Sequence, residues 1–376
     1  MRKRISVVMA GLLGLGTFCG CSNEIKEPTV SVSDIAYYEQ YKDDGLSINV
    51  YNWGEYIADG SEDEMMNVNA EFEALTGIEV NYTTYATNEE LYAKMKGGGA
   101  DYDIIIPSDY MVSRMIKEDM LSQLDYSKIP NTQFIMDSFK NAAYDEGDKH
   151  SVPYTWGTVG IIYDKEVVDE AEIDWDILWN EKYKGQILMF DNPRDAFAIA
   201  QLVLGYSLNT EKPDELKASA AKLMEQKPLV QAYVMDEIFD KMGAQEAALA
   251  PYYAGDAVTL MQDYEHLGFV VPKSGTNRFV DAVCIPKTST KQELAHMYIN
   301  FLCEPEVALA NAEYIGYSTP NSAAYEKLSD EIKNDGISYP DDAYLGEKTT
   351  VYKNLSDEAN KLMQDLWTEM KSGNKY

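Results

Sequence analysis

The chain has 376 residues, with 63 Asp and Glu against 32 Lys and Arg, and a formal net charge of -31. That balance excludes a protein that displaces counterions from nucleic acid or settles by charge on an anionic membrane, since both tasks need a basic surface. Hydrophobic residues at 45% and aromatics at 11% exclude an acidic disordered chain, and the length suits two domains at roughly 100–200 residues each.

Residues 1–20 read as an export signal: a basic head (Arg2, Lys3, Arg4), an apolar run from Ile5 to Phe18, and a small-residue approach to Cys21. The run is too short for a membrane span, which takes ~20 apolar residues. Phe18-Cys19-Gly20-Cys21 resembles a bacterial lipobox, with Phe18 in place of the usual Leu, which would make Cys21 the lipidated N-terminus of the mature chain. Removal of 1–20 takes away three cations and no acid, so -31 becomes -34. Residues 21–45 are polar and acidic without sustained periodicity and are expected to be a tether.

Leu46–Tyr51 alternates as a strand, residues 61–76 carry helical spacing ended by Gly77, and Ile78–Tyr82 is a second strand. Thr87 or Asn88 caps a helix through Met95, and Asp103–Pro107 is a continuously apolar strand, as in a sheet covered on both faces. This alternation predicts a parallel α/β layer. Ligands of such sheets bind beyond the carboxyl ends of the strands, which places Trp53, Tyr56, Ser108 and Tyr110 on the binding edge. Tyr154–Tyr163 reads as a further strand, and Gln186–Phe190 and Ala247–Tyr252 as strands of a second sheet, with helices near 196–205 and 213–226. Short strands at Phe269–Pro272 and Ala282–Pro286 precede helices over 291–303, 304–314 and 355–371.

No HExxH, GxxxxGK[ST] or GxSxG motif is present, and the mature chain has no Cys-x-x-Cys. His150, His266 and His296 are isolated, Gly97–Gly99 is followed by acid rather than Lys, and Cys284 and Cys303 sit in apolar surroundings that suit buried thiols. No cofactor or metal is expected. The enzyme class that survives is a glycoside hydrolase, which needs only two carboxylates across an aromatic cleft.

Several segments in order, Tyr51-Asn-Trp-Gly-Glu-Tyr56-Ile, TGIEVNYTTYATNEELYAKM, YDIIIPSDYMVSRM, SVPYTWGTVGIIYD, WDILWNEKYKGQI and IGYSTPN, resemble the spermidine/putrescine-binding proteins of bacterial ABC importers from about residue 46 to 340. The resemblance implies a two-lobed α/β periplasmic-binding-protein fold of type II, each lobe a mostly parallel sheet flanked by helices, joined by crossing hinge strands. The first lobe would comprise 46–155 and 282–317, the second 156–281 and 318–376. It also implies an aromatic box of Trp53, Tyr56, Tyr110, Tyr253, Phe279 and Tyr317, beside Ser108, and carboxylates Asp195, Asp256 and Asp281 with Glu55 as a further candidate. Read without the family, Trp53 and Tyr56 suit packing at a strand end, Asp195 suits a helix cap and Glu55 a solvated surface.

A polyamine alternates methylenes with ammonium groups, so rings and acids in alternation suit it. Departures from the family pattern are Asn192, where spermidine binders carry an acid, and Tyr253, where Trp is usual. The expected partners are a polyamine and a permease with a cytoplasmic ATPase, with a membrane contact through the lipid anchor, no nucleic acid, and a monomeric state. The alternatives are another organic cation, ferric iron, or a secreted carbohydrate-active enzyme.

Overall fold

The computed structural model describes residues 28–61 and 65–373; the export signal and Cys21 lie outside them. The first half is built by strand–helix alternation. Strand β1 (Ser47–Trp53) buries Ile48 and Val50. Helix α1 (Val68–Thr76) starts where the Asn67 side chain accepts the Ala70 N–H and stops at Gly77, whose φ is 70°. A Cβ at Gly77 would lie 2.1 Å from the Lys42 carbonyl oxygen, so the cap requires glycine for space as well as for φ. This helix is shorter than the 61–76 expected, because Asp59 and Asn67 pair as an antiparallel bridge. Strand β2 (Glu79–Tyr85), helix α2 (Asn88–Lys96, capped by Thr87) and the two-residue strand β3 (Ile104–Ile105) follow. Both β2 and β3 run parallel to β1. Helix α3 (Asp109–Lys117), which the sequence reading left unassigned, buries Met111, Val112 and Met115.

Strand β4 (Ser151–Asp164) leads into β5 (Ile187–Phe190), α4 (Pro193–Leu204), α5 (Pro213–Gln226), β6 (Val230–Val234), β7 (Leu249–Tyr253), α6 (Ala254–Asp263), β8 (Leu267–Val270) and β9 (Thr276–Cys284). The strand order is β2-β1-β3-β9-β4-β7-β5-β6, with β8 also paired to β4. The halves therefore share one hydrogen-bonded sheet rather than the two separate sheets expected. β4 joins them: its first part pairs antiparallel with β9, its last part with β7 and β8. Strand β9 starts well before the strand expected at Ala282, because Asn277, Arg278 and Asp281 make it read as a loop.

Helices α7 (Gln292–Leu302), α8 (Pro305–Ile315), α9 (Ser322–Lys327) and α10 (Asp357–Ser372) complete the chain. Residues 318–327 pack against the first half, contrary to the expected boundary at 318. Met136 N–H donates to the Pro320 carbonyl at 2.9 Å, Asn321 Nδ2 to the Cys303 carbonyl at 2.9 Å and Ser322 Oγ to the Phe134 carbonyl at 2.8 Å. Helix α10 covers the second half, where Lys227 Nζ donates to the Met370 carbonyl at 2.7 Å and Trp367 meets Tyr233 edge to face.

The expected tether is likewise corrected from Thr29 onward, where the segment is docked rather than free. Thr29 Oγ1 donates to Glu71 Oε1 at 2.7 Å, and Ser33 Oγ and Tyr38 OH donate to Glu304 Oε1 at 2.8 and 2.9 Å. Tyr38 is fully buried against Phe301. Burying the Glu304 carboxylate is tolerable because several donors converge on it. Cys284 and Cys303 are buried free thiols, and His296 is satisfied on both nitrogens, accepting from Asp125 N–H and facing the Gln292 carbonyl.

Candidate ligand-binding site

The carboxyl ends of β1 and β3 supply one wall. Trp53 ends β1, its Nε1–H donating to the Ile106 carbonyl at 2.9 Å and its ring tilted on Tyr85 at 4.6 Å. Ser108 and Tyr110 open α3. Asn88 holds Ser108 from both sides, donating Nδ2–H to its Oγ and accepting its N–H, and Tyr110 OH donates to Glu89 Oε1 at 3.1 Å. Tyr56 reaches inward, its OH 2.5 Å from Asp281 Oδ2 and 2.6 Å from Thr155 Oγ1.

The opposite wall comes from the first turns of α4 and α6 and the end of β7. Asn192 caps α4, accepting from the Arg194 and Asp195 N–H groups, so Asp195 is not the cap and its carboxylate is free for the cleft. Both Asp195 oxygens accept phenol hydroxyls, Oδ2 from Tyr253 at 2.7 Å and Oδ1 from Tyr352 at 3.0 Å. Asp256, in the first turn of α6, accepts the Tyr317 hydroxyl at 2.8 Å. Phe279 on β9 bridges the rings, 5.5 Å from Tyr253 and 6.2 Å from Tyr317, and Tyr317 stands edge-on to Tyr56 at 4.8 Å.

These side chains line one partly enclosed pocket. Its lining includes ten of the eleven positions read from the sequence: Trp53, Tyr56, Ser108, Tyr110, Asp195, Tyr253, Asp256, Phe279, Asp281 and Tyr317. Glu55 is the exception. It sits in a turn with φ of 49° and faces a separate polar recess with Asp59, Glu73 and Tyr314. The sequence reading missed Asn88, Met235, Asp236, Asn277 and Tyr352. Asp236 was findable by the strand-end rule had β6 been recognised; Tyr352 lies in an aperiodic loop where the match to the family pattern is ambiguous.

Burial dominates the electrostatics. It pushes Asp256 up to about 8 and Asp281 up to about 6, the Tyr317 hydroxyl holding the first down and the Ser108 and Tyr56 hydroxyls the second. Asp195 is also raised by burial. Oδ1 of Asp281 is buried with no hydrogen-bond partner. The lining contains four carboxylates, Asp195, Asp236, Asp256 and Asp281, and no Lys, Arg or His; the Arg194 guanidinium lies just behind, 4.3 Å from the Tyr352 ring centroid. Tyr56, Tyr253, Tyr317 and Tyr352 are raised well above the usual phenol range by burial and then by the neighbouring carboxylates. They therefore act as neutral hydrogen-bond donors to the carboxylates. Among the described residues no group of three or more His, Cys, Asp or Glu could hold a metal.

A cavity at the junction of two α/β halves, walled by rings and acids, defines a solute-binding protein of the two-lobed kind. Residues 67–339 match the family of bacterial extracellular solute-binding proteins, and the chain belongs to that family, whose members bind solutes for ABC transporters and are not enzymes. The chain is 35% identical over 336 residues, 89% of its length and 94% of the relative's, to the spermidine/putrescine-binding periplasmic protein of Escherichia coli. Among solved structures, a spermidine/putrescine ABC transporter protein from Listeria monocytogenes is 38% identical with a TM-score of 0.82, covering 87% of this chain and 99% of that one. A lipoprotein of Treponema pallidum is 28% identical with a TM-score of 0.74, covering 86% and 99%. The fold and the resemblance expected from the sequence are borne out.

Proposed function

We propose that this protein captures a polyamine outside the cytoplasm and hands it to an ABC permease driven by a cytoplasmic ATPase. The observation that carries the reading is the ring-walled cavity lined by carboxylates and by no Lys, Arg or His, above all Asp281 with its buried, unpartnered Oδ1. An ammonium there would be held by charge-assisted hydrogen bonds, about twice as strong as neutral ones, and each methylene run would lie on a ring face. Asp195, Asp256 and Asp281 are the ammonium contacts, and Trp53, Tyr56, Tyr110, Tyr253, Phe279 and Tyr317 are the walls, with Ser108 beside Asp281. Glu55 has no direct contact in this reading.

Ligand binds between lobes that hinge on β4 and β9, and closure follows from tighter binding to the closed form than to the open one. The first lobe comprises residues 46–155 and 282–327, the second 156–281 and the C-terminal helix α10. The mature chain is anchored through lipidated Cys21, a reading supported by its similarity to the Treponema pallidum lipoprotein, and acts as a monomer.

The test is calorimetric titration of ligand-stripped protein with putrescine, cadaverine, spermidine and spermine, with lysine and glucose as controls. Saturable one-to-one binding of a polyamine supports the reading. Absence of heat with every polyamine, from protein shown to be folded and empty, would overturn it.

A further inference from the structure

Beside the ligand cavity the two halves face each other across another recess. Helices α2 and α3 of the first half form one side of it, and the starts of α4 and α10 of the second half form the other. The halves already touch here. Lys117 Nζ on α3 donates to Asp357 Oδ1 on α10 at 3.3 Å, and the Tyr110 ring meets Tyr352 edge to face at 5.8 Å.

Two opposite charges line this recess, each from the first turn of its helix, and each is short of partners. Glu89 on α2 accepts the Tyr110 hydroxyl on Oε1, while its Oε2 is buried with no hydrogen-bond partner. Arg194 on α4 is 3% exposed. Its Nη2 donates to the Asn209 side chain at 3.0 Å and to the Lys353 carbonyl at 3.3 Å, whereas Nε and Nη1 are buried without partners. Burial raises the Glu89 carboxyl, and the Tyr110 hydroxyl and the Arg194 guanidinium oppose the rise. Neither Glu89 nor Arg194 lines the ligand cavity.

A buried charged atom without a partner bears its full desolvation cost. These two sit on opposite halves, so the motion that brings the halves together can supply each with the other. Arg194 is prepared for that contact: besides the bonds on Nη2, its guanidinium carbon lies 4.3 Å from the Tyr352 ring centroid and 5.7 Å from that of Tyr110. We propose that Glu89 and Arg194 pair as a latch between the halves, which stabilises the closed form without touching the ligand. This rests on the hinged polyamine reading above and deepens it by naming groups that set affinity from outside the cavity. Closure also expels water from the recess, which strengthens the pair. Because the latch meets no part of the ligand, it tightens every polyamine by the same factor, and it does so by slowing release.

The experiment is a double-mutant cycle on ligand-stripped protein: wild type, Glu89→Gln, Arg194→Gln and the double variant. Each is titrated with putrescine and with spermidine, with release followed by stopped flow and the empty protein unfolded in urea. Gln at position 89 keeps an oxygen for the Tyr110 hydroxyl, so that wall of the cavity stays in place. The expected result is that Glu89→Gln weakens both ligands alike, by about tenfold, whereas in the Arg194→Gln background the same change costs less than about threefold. The loss should appear as faster release, and the empty Glu89→Gln protein should resist urea at least as well as wild type, since the latch is unmade in the open form. Should Arg194→Gln fail to fold, the release rates and the empty-state unfolding of Glu89→Gln decide alone.

No loss of affinity in Glu89→Gln, unequal losses for the two ligands, a destabilised empty protein, or the same loss with and without Arg194 would overturn the latch while leaving a polyamine receptor. Wild-type protein that binds neither ligand would overturn the polyamine reading, and the latch with it.

Discussion

Replacing Asp281 by Asn separates binding from folding, because the two should move in opposite directions. The side chain is 4% exposed, and burial raises its carboxyl to about 6 from an ordinary value of 3.8. Holding it ionised in the site without a cation therefore costs up to ~3 kcal/mol, two pKa units at ~1.4 kcal/mol each. The sign follows from the raised value. Below about pH 4 the group is protonated in both folded and unfolded states and costs nothing; as pH rises from 4 to 6 the unfolded chain ionises first, and the penalty becomes full above 6. Asn never ionises and keeps an oxygen to accept the Tyr56 hydroxyl.

Empty Asp281→Asn protein should thus match wild type in thermal unfolding at pH 4 and exceed it at pH 8, by at most ~3 kcal/mol, less whatever the wild type recovers by opening its lobes. Binding should fall instead, since an ammonium buried without its acid forfeits roughly 3–5 kcal/mol, a loss of about 100-fold to several thousandfold. Differential scanning calorimetry at the two pH values and isothermal titration at pH 7.5 read both effects. Affinity within tenfold of wild type, or an empty variant less stable at pH 8 than wild type, would refute the assignment of Asp281 as a buried, cation-seeking carboxylate.

Tyr38→Ala should destabilise the protein by roughly 3–5 kcal/mol through the cavity it leaves and through loss of a donor to buried Glu304, with polyamine affinity unchanged; urea unfolding paired with titration checks both halves. Gly255→Ala places a Cβ 2.1 Å from the Tyr317 ring, so overpacking of about 1–3 kcal/mol is expected, lowering the melting temperature and weakening binding as the ring shifts. Cys21→Ala should move the protein from the detergent phase to the aqueous phase when expressed with its own signal; retention in the detergent phase would reject lipidation at that residue.

How much of this was legible in the sequence depends on where apolar periodicity and polar function coincide. The β1–α1–β2–α2–β3 run was readable because Ile48, Val50, Phe72, Leu75 and Ile104 report the core through simple periods. Strand β9 was placed too late for the reason that makes it useful: it buries Asn277 and Asp281 at the cavity, and polar residues in a strand imitate a loop. Glu55 looked like a partner to Tyr56 by adjacency, but the turn between them sends the acid to a different recess. The resemblance brought in Asp281 and Phe279, which the residues alone would not have singled out. Asp236 and Tyr352 needed three dimensions, because β6 and the loop at 351–354 reach the cavity through packing rather than pattern.

The docked N-terminal segment decides which part of the molecule is the moving one. Its hydrogen bonds to Glu71, Asn131, Glu304 and Glu306, like the burial of Tyr38 on Phe301, all reach the first half, and none of these residues lines the cleft. Whatever holds the N-terminus holds that half with it, as a clamp fixes one jaw of a pair of tongs. If the proposed hinge lies at β4 and β9, the second half is the one that swings, and gripping a ligand does not drag against the N-terminal segment.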